Sequence, residues 1–186
     1  MHRSMTVILL LALAPPARAQ VEATDSTLGF PPPTGWVADL AHVLPDSTRS
    51  LLTALSEGVR HACLGEIVVV TVDSLHGRDA RVVARNLGRQ WRVGAPGPPS
   101  DPATDTGVVL LLAPNDGQVA LELGAGTSAF ISDEVAGQIL DSLVLPALLR
   151  KDWERGALAG AWAIADRFAA RFGFALPGRK ALYLGE

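Results

Sequence analysis

DTGVVLLLAPNDGQVALELGAGTSAFISD, residues 105–133, is the stretch from which the fold is read. Val108 to Ala113 is an unbroken apolar run between Gly107 and Pro114, with the length and β-branched content of a strand covered on both faces. Asn115-Asp116-Gly117 follows, residues that tolerate positive φ in a tight hairpin turn. Gln118 to Leu123 makes the returning strand, and Gly124-Ala125-Gly126 breaks it before a helix start near Ser132. The stretch therefore reads as a β-hairpin that passes the chain to a helix through a glycine loop.

Working outward, Ile67-Val68-Val69-Val70-Thr71-Val72 is a second strand without alternation, hence central in its sheet. Leu51, Leu52, Leu55 and Val59 recur at helical spacing and predict a helix over 47–62, stopped by Gly65. Val82, Val83, Leu87 and Trp91 predict a second over 78–91. Val135, Ile139, Leu140 and Val144 predict a third over 133–145, ended or kinked by Pro146. A long last helix over 153–172 carries Trp153, Ala157, Ala161, Ile164, Phe168 and Phe172. Trp36 to Asp39 opens the domain as a short extended piece. The expected architecture is a Rossmann-like, three-layer α/β/α sandwich with a small mixed central sheet.

The 186 residues have room for one ordinary domain, and 48% hydrophobic residues with a mean hydropathy of +0.26 exclude global disorder. Residues 1–19 carry Arg3, an apolar run from Met5 to Ala14, and Ala17-Arg18-Ala19, the pattern of a secretory signal peptide. The expected order is signal peptide 1–19, Pro-rich linker 20–35, domain 36–172 and tail 173–186, with export to the periplasm or the extracellular space. Removing Arg3 and Arg18 from 16 basic residues leaves 14 against 19 acidic ones, a net charge of −5. Such a chain is a poor nucleic-acid binder. No apolar run after the leader is long enough to span a bilayer. Cys63 is the single cysteine, so no intramolecular disulfide forms, and its apolar neighbours predict a buried, inert thiol. The loop over 92–106, rich in Pro, Gly, Ser and Asp, is long enough for a functional flap.

Three chemistries are weighed on the residues. Gly124-Ala125-Gly126-Thr127-Ser128-Ala129 matches G-x-G-x-x-A after a strand, where a dinucleotide fingerprint would sit. No acid follows at the end of a next strand to hold a ribose, so the glycines read as a turn. Nucleophilic catalysis lacks a G-x-S-x-G elbow, and His42, His61 and His76 have no Ser or Cys in a recognisable arrangement. Carboxylates remain: Asp39, Asp105 and Asp133 lie at loop edges, where a hard cation such as Ca2+ gathers oxygen ligands from separate segments. Turn residues at the first two and a helix-dipole acid at the third are the plainer alternative.

Five ordered segments resemble the TPM domain family, named for thylakoid lumen, photosystem-repair and acetylcholine-receptor-accessory members. They are WVADLAHVLPDSTRSLLTAL (36–55), GEIVVVTVDSL (65–75), QWRVG (90–94), DTGVVLLL (105–112) and ALELGAGTSAFISD (120–133). The resemblance implies an α/β/α sandwich outside the cytoplasm. Its members act as acid phosphatases, calcium-binding domains, or accessory factors for membrane complexes. It also implies a cation site at Asp39, Asp105 and Asp133, with Gly124, Gly126, Thr127 and Ser128 as phosphate or loop contacts. Ser128 stands where the family commonly has Glu, Gln118 where a basic residue is frequent, and Ala38 and Thr106 where Asn is usual. Loss of an anionic ligand weakens a hard cation site. The expected function is a binding or accessory module with a weakened calcium-type site, its partner an envelope or membrane-associated protein. The alternative is a metal-assisted acid phosphatase.

Overall fold

The structure, a computed structural model, describes residues 29–94 and 104–176. The expected signal peptide, most of the linker, the middle of the 92–106 loop and the end of the tail lie outside these residues. The chain divides into two compact units, Met1–Phe30 and Pro31–Glu186, and the fold below is that of the second.

In chain order the elements are β1 (Val37–Asp39), α1 (Asp46–Cys63), β2 (Glu66–Thr71), α2 (Ala80–Trp91), β3 (Gly107–Ala113), β4 (Gln118–Leu123), α3 (Ala125–Ser128), α4 (Asp133–Ile139), α5 (Leu145–Leu149) and α6 (Trp153–Phe172). One sheet has the order β1-β2-β3-β4, the first three strands parallel and β4 antiparallel to β3. β2 and β3 occupy the centre, and every residue of β3 is buried, as an unalternating run demands.

The two sheet faces are covered differently. A Cβ at Gly160 of α6 would meet Leu110 Cδ2 at 2.9 Å, and one at Gly88 of α2 would meet Val109 Cγ2 at 3.4 Å. Neighbouring residues of a strand point to opposite faces, so α6 and α2 lie on opposite sides. α1 joins α6 on the first side, where Leu52, Leu55, Val59, Ile164 and Phe168 pack on Ile67, Val69 and Leu110. The α/β/α sandwich with a mixed sheet is thus observed.

Local differences from the expected elements have physical causes. In α1 the buried stripe is Thr48, Leu52, Leu55, Ser56 and Val59, while Leu51 is 47% exposed. Positions 48, 52, 55 and 59 share one face, and Leu51 sits to its side. α1 is closed by Leu64, at φ 61° with its N–H on Arg60 O, and not by Gly65. Gly65 is small because the Phe168 ring lies 2.3 Å from where a Cβ would stand. The hairpin turn is a 3-10 turn, Pro114–Asp116, with only Gly117 at positive φ, 60°. Asp116 is occupied elsewhere: its Oδ2 accepts from Leu75 N at 2.6 Å. The helix expected over 133–145 is α4, a π-helical turn at Leu140–Val144, and then α5. Pro146 has no N–H for the i→i−4 ladder, and the widened turn before it lets the helical path continue to Leu149.

Candidate functional site

The three aspartates do not converge. Asp39 ends β1 opposite Thr71, which pairs with Leu112 near the end of β3. Asp105 precedes the start of β3, seven residues before Leu112, a separation of about 20 Å at the rise of a strand. Asp39 and Asp105 therefore lie at opposite ends of the sheet, farther apart than ligands of one cation can be. Asp133 is exposed in the first turn of α4, where Ser132 caps the helix by accepting from Val135 N at 3.3 Å. Among the described residues no group of three or more His, Cys, Asp or Glu could hold a metal ion.

Asp39 and Asp105 have structural work instead. Asp39 is nearly sealed, its side chain 3% exposed. Its Oδ1 accepts from Val43 N at 3.1 Å and Thr71 Oγ1 at 2.5 Å, and its Oδ2 from Leu44 N at 3.0 Å and Arg49 Nη1 at 3.4 Å. It ties the end of β1 to the entry of α1. Asp105, at φ 54°, clips the loop before β3 to the loop after β4. Its Oδ2 accepts from Ala125 N at 2.8 Å and its carbonyl from Gly126 N at 3.0 Å.

That clip accounts for the glycine loop. A Cβ at Gly124 would lie 2.3 Å from Asp105 O, and one at Gly126 2.1 Å from Thr104 O, so the glycines admit the neighbouring backbone. Gly124 N donates to Gly107 O at 2.8 Å and Ser128 N to Gly124 O at 2.9 Å. Thr127, fully buried, donates to Gly107 O, and the Ser128 hydroxyl donates to Gly124 O, both at 3.1 Å. Gly124 N, Ala125 N, Gly126 N and Ser128 N, donors that a bound phosphate would need, are committed to the chain itself. Gly124, Gly126, Thr127 and Ser128 thus close the loop onto the start of β3, as glycines that make a turn would do.

Beside this clip lies a half-open cleft of about 390 Å³ between α2 and the ends of β3 and β4. Arg85, Arg89 and Arg92 line one side, Asp105 and Glu122 the other. Arg85 Nε pairs with Glu122 Oε1 at 3.0 Å, whereas Arg89 and Arg92 form no ion pair among the described residues. No Ser, Thr, Cys or His lines the cleft among these residues. The arginines escaped a sequence reading centred on carboxylates. The spacing of Arg85 and Arg89 puts both on one face of α2, with Arg92, at φ 54°, just past its end, and was the available signal.

Cys63 is half-buried rather than sealed; its thiol donates to Val59 O at 3.3 Å. Burial raises the thiol above its ordinary value, against smaller opposing effects of the Gly65 N–H and Arg60.

The family model for the TPM domain matches residues 37–167. The chain belongs to the TPM domain family. The match begins at β1 and runs into α6, so the TPM domain includes the whole sheet and the arginine-lined cleft. Among solved structures, this TPM domain is similar to the N-terminal domain of a protein from P. gingivalis, at 20% identity and a TM-score of 0.67, covering 78% of this chain and 89% of that one. It is also similar to the N-terminal domain of the cg2496 protein from Corynebacterium glutamicum, at 17% identity and a TM-score of 0.57, covering 93% and 96%. A third, the BA42 protein from Bizionia argentinensis, has 16% identity and a TM-score of 0.52, covering 69% and 83%. At such identities the likeness concerns the fold. No curated protein matches the chain. No helix among the described residues is long and apolar enough to cross a membrane.

Proposed function

We propose that this TPM domain is an exported binding module that takes a small anionic group in the cleft beside the glycine loop, in an accessory role toward an envelope or membrane-associated protein. The observation that carries the reading is the pair Arg89 and Arg92, two guanidinium groups at one cleft wall with no ion pair among the described residues. Guanidinium forks match carboxylate and phosphate oxygens. The cleft's described lining favours binding over turnover, because it offers no nucleophile, and its two carboxylates already serve Ala125 N and Arg85.

The test is a titration of the full chain with inorganic phosphate, followed by amide chemical shifts. Saturable shifts of residues in β4 and the end of α2, lost in Arg89→Ala/Arg92→Ala, support the reading. Unchanged binding in that variant, or no saturable shift at all, removes it. The alternative of an acid phosphatase draws on the same arginines, which would stabilise charge on a transferring phosphoryl group. It requires hydrolysis of p-nitrophenyl phosphate at acid pH that the same substitutions abolish; binding without turnover separates the two.

A further inference from the structure

β4 is an end strand of its sheet, and its outer edge has no neighbouring strand among the described residues. Gly124 N donates to Gly107 O at 2.8 Å, which makes these two a hydrogen-bonded pair of the antiparallel ladder. Counting back in twos, Glu122, Ala120 and Gln118 turn their backbone groups toward Val109, Leu111 and Ala113 of β3. Val119, Leu121 and Leu123 therefore turn three N–H and three C=O groups outward, and no hydrogen bond among the described residues uses them. We infer that this edge takes an extended peptide of a partner protein as an added strand, with an acidic side chain of that peptide set against Arg89 and Arg92. The acidic side chain rests on the anion-binding reading of the cleft; the added strand does not.

An open row of backbone donors and acceptors is a template for one more strand. In strand addition the main chain supplies affinity, and pockets beside the edge receive alternate side chains. Both are present here. Leu123 borders the arginine-lined cleft, while Val119 and Leu121 border a second hollow of about 320 Å³. This hollow lies between Arg81, at the start of α2, and Leu140, Asp141 and Leu145, in the π-helical turn and the start of α5. Each half of the edge thus has room beside it for side chains of the incoming segment.

Charge selects the occupant and its placement. In the cleft Glu122 is paired with Arg85 and Asp105 accepts from Ala125 N, which leaves the guanidinium groups of Arg89 and Arg92 to meet a carboxylate. In the second hollow Arg81 is outnumbered by Asp79 and Asp141, so the acidic side chain belongs at the Leu123 end. A second copy joined edge to edge is the poorer occupant. It would set two α2 helices side by side, each carrying Arg81, Arg85 and Arg89, and like charges oppose that pairing.

The probe is acetyl-Val-Thr-Glu-Thr-Val-amide, titrated to millimolar concentration into the isotope-labelled full chain, with amide shifts and hydrogen exchange as the readout. The expected result is saturable protection of the Val119, Leu121 and Leu123 amides, with Ala120 and Glu122, which already face β3, little changed. N-methylation of one alternate set of peptide nitrogens should abolish binding and that of the other set should be tolerated, since a strand turns every second N–H toward its neighbour. Glutamine in place of the peptide's glutamate should weaken affinity by about tenfold, as should Arg89→Ala/Arg92→Ala, for loss of a charge-assisted hydrogen bond. Amide dispersion reports folding of the variant. Saturable phosphate shifts without protection of the three edge amides overturn the added strand and leave the anion-binding reading standing. Edge protection with equal affinity for the glutamate and glutamine peptides overturns the acidic ligand, and absence of phosphate shifts then removes the anion-binding reading as well. A concentration-dependent dimer whose edge amides are protected without peptide also overturns the proposal, and assigns β4 to a second copy of the chain.

Discussion

Asp39→Ala separates an internal anchor from a cation ligand. The carboxylate holds Val43 N, Leu44 N, Thr71 Oγ1 and Arg49 with its side chain 3% exposed. A hydrogen bond to a charged group is worth about 1.5–3 kcal/mol, and removing one partner of a buried ion pair costs about 3–5 kcal/mol. Arg49 is 39% exposed and can rehydrate, and its 3.4 Å approach is long, so the loss falls at the low end. A destabilisation of about 3 kcal/mol is expected, chiefly from two backbone N–H groups left without their acceptor. For a domain of this size that is about 6–12 °C in melting temperature. Asp39→Asn keeps an amide oxygen for one of those donors, so it should lie between the parent and Asp39→Ala. The assay is thermal and urea unfolding with chelator and again with excess calcium, alongside calorimetric titration with calcium. The expected outcome is the same deficit in both conditions and no stoichiometric calcium heat in the parent. A cation ligand gives the opposite pattern: without calcium its removal is neutral or stabilising, since like charges are relieved. An Asp39→Ala protein as stable as the parent in chelator, but deprived of a calcium-dependent gain, would refute the anchor reasoning.

Three further outcomes can be checked on the same footing. Ser56 is fully buried with no hydrogen-bond partner for its hydroxyl among the described residues; Ser56→Ala should stabilise the domain by about 1 kcal/mol, read as a higher urea midpoint at unchanged slope. At Asp105, Asn tolerates the left-handed backbone and can still accept from Ala125 N, so Asp105→Asn should be near neutral, while Asp105→Ala should cost about 2 kcal/mol for the lost acceptor and the strained φ; equal effects of the two would contradict the clip. Since burial raises the Cys63 thiol, the folded state holds that proton more tightly than the unfolded chain. The resulting contribution to stability is complete below the unfolded thiol's pKa and lost as pH rises through the higher folded one. Alkylation of the native protein by iodoacetamide should reach half its maximal rate at a higher pH than in urea, and a lower native midpoint would contradict the burial account.

The sequence by itself determined the sheet's centre, the helices and the family. Ile67 to Thr71 and Val108 to Ala113 are apolar without alternation, and only strands covered on both faces can bury such runs. That information is local, carried by periodicity and composition. Tertiary structure decided what the local pattern leaves open. Leu51 satisfies a helical spacing and is exposed, while Ser56 is buried, because the stripe that counts is the one facing α6. The three aspartates looked alike at three loop edges, yet strand register sends Asp39 and Asp105 to opposite ends of the sheet. The glycine loop had the spacing of a phosphate cradle, but its donors meet Asp105 and Gly107, residues about twenty positions away that only the β3–β4 pairing brings alongside. Arg89 and Arg92 were visible as charges near the end of a helix; that they border a cleft follows from where α2 crosses β3 and β4. A residue's type fixes what it can bond, and the register of distant segments fixes which partner is there to be bonded.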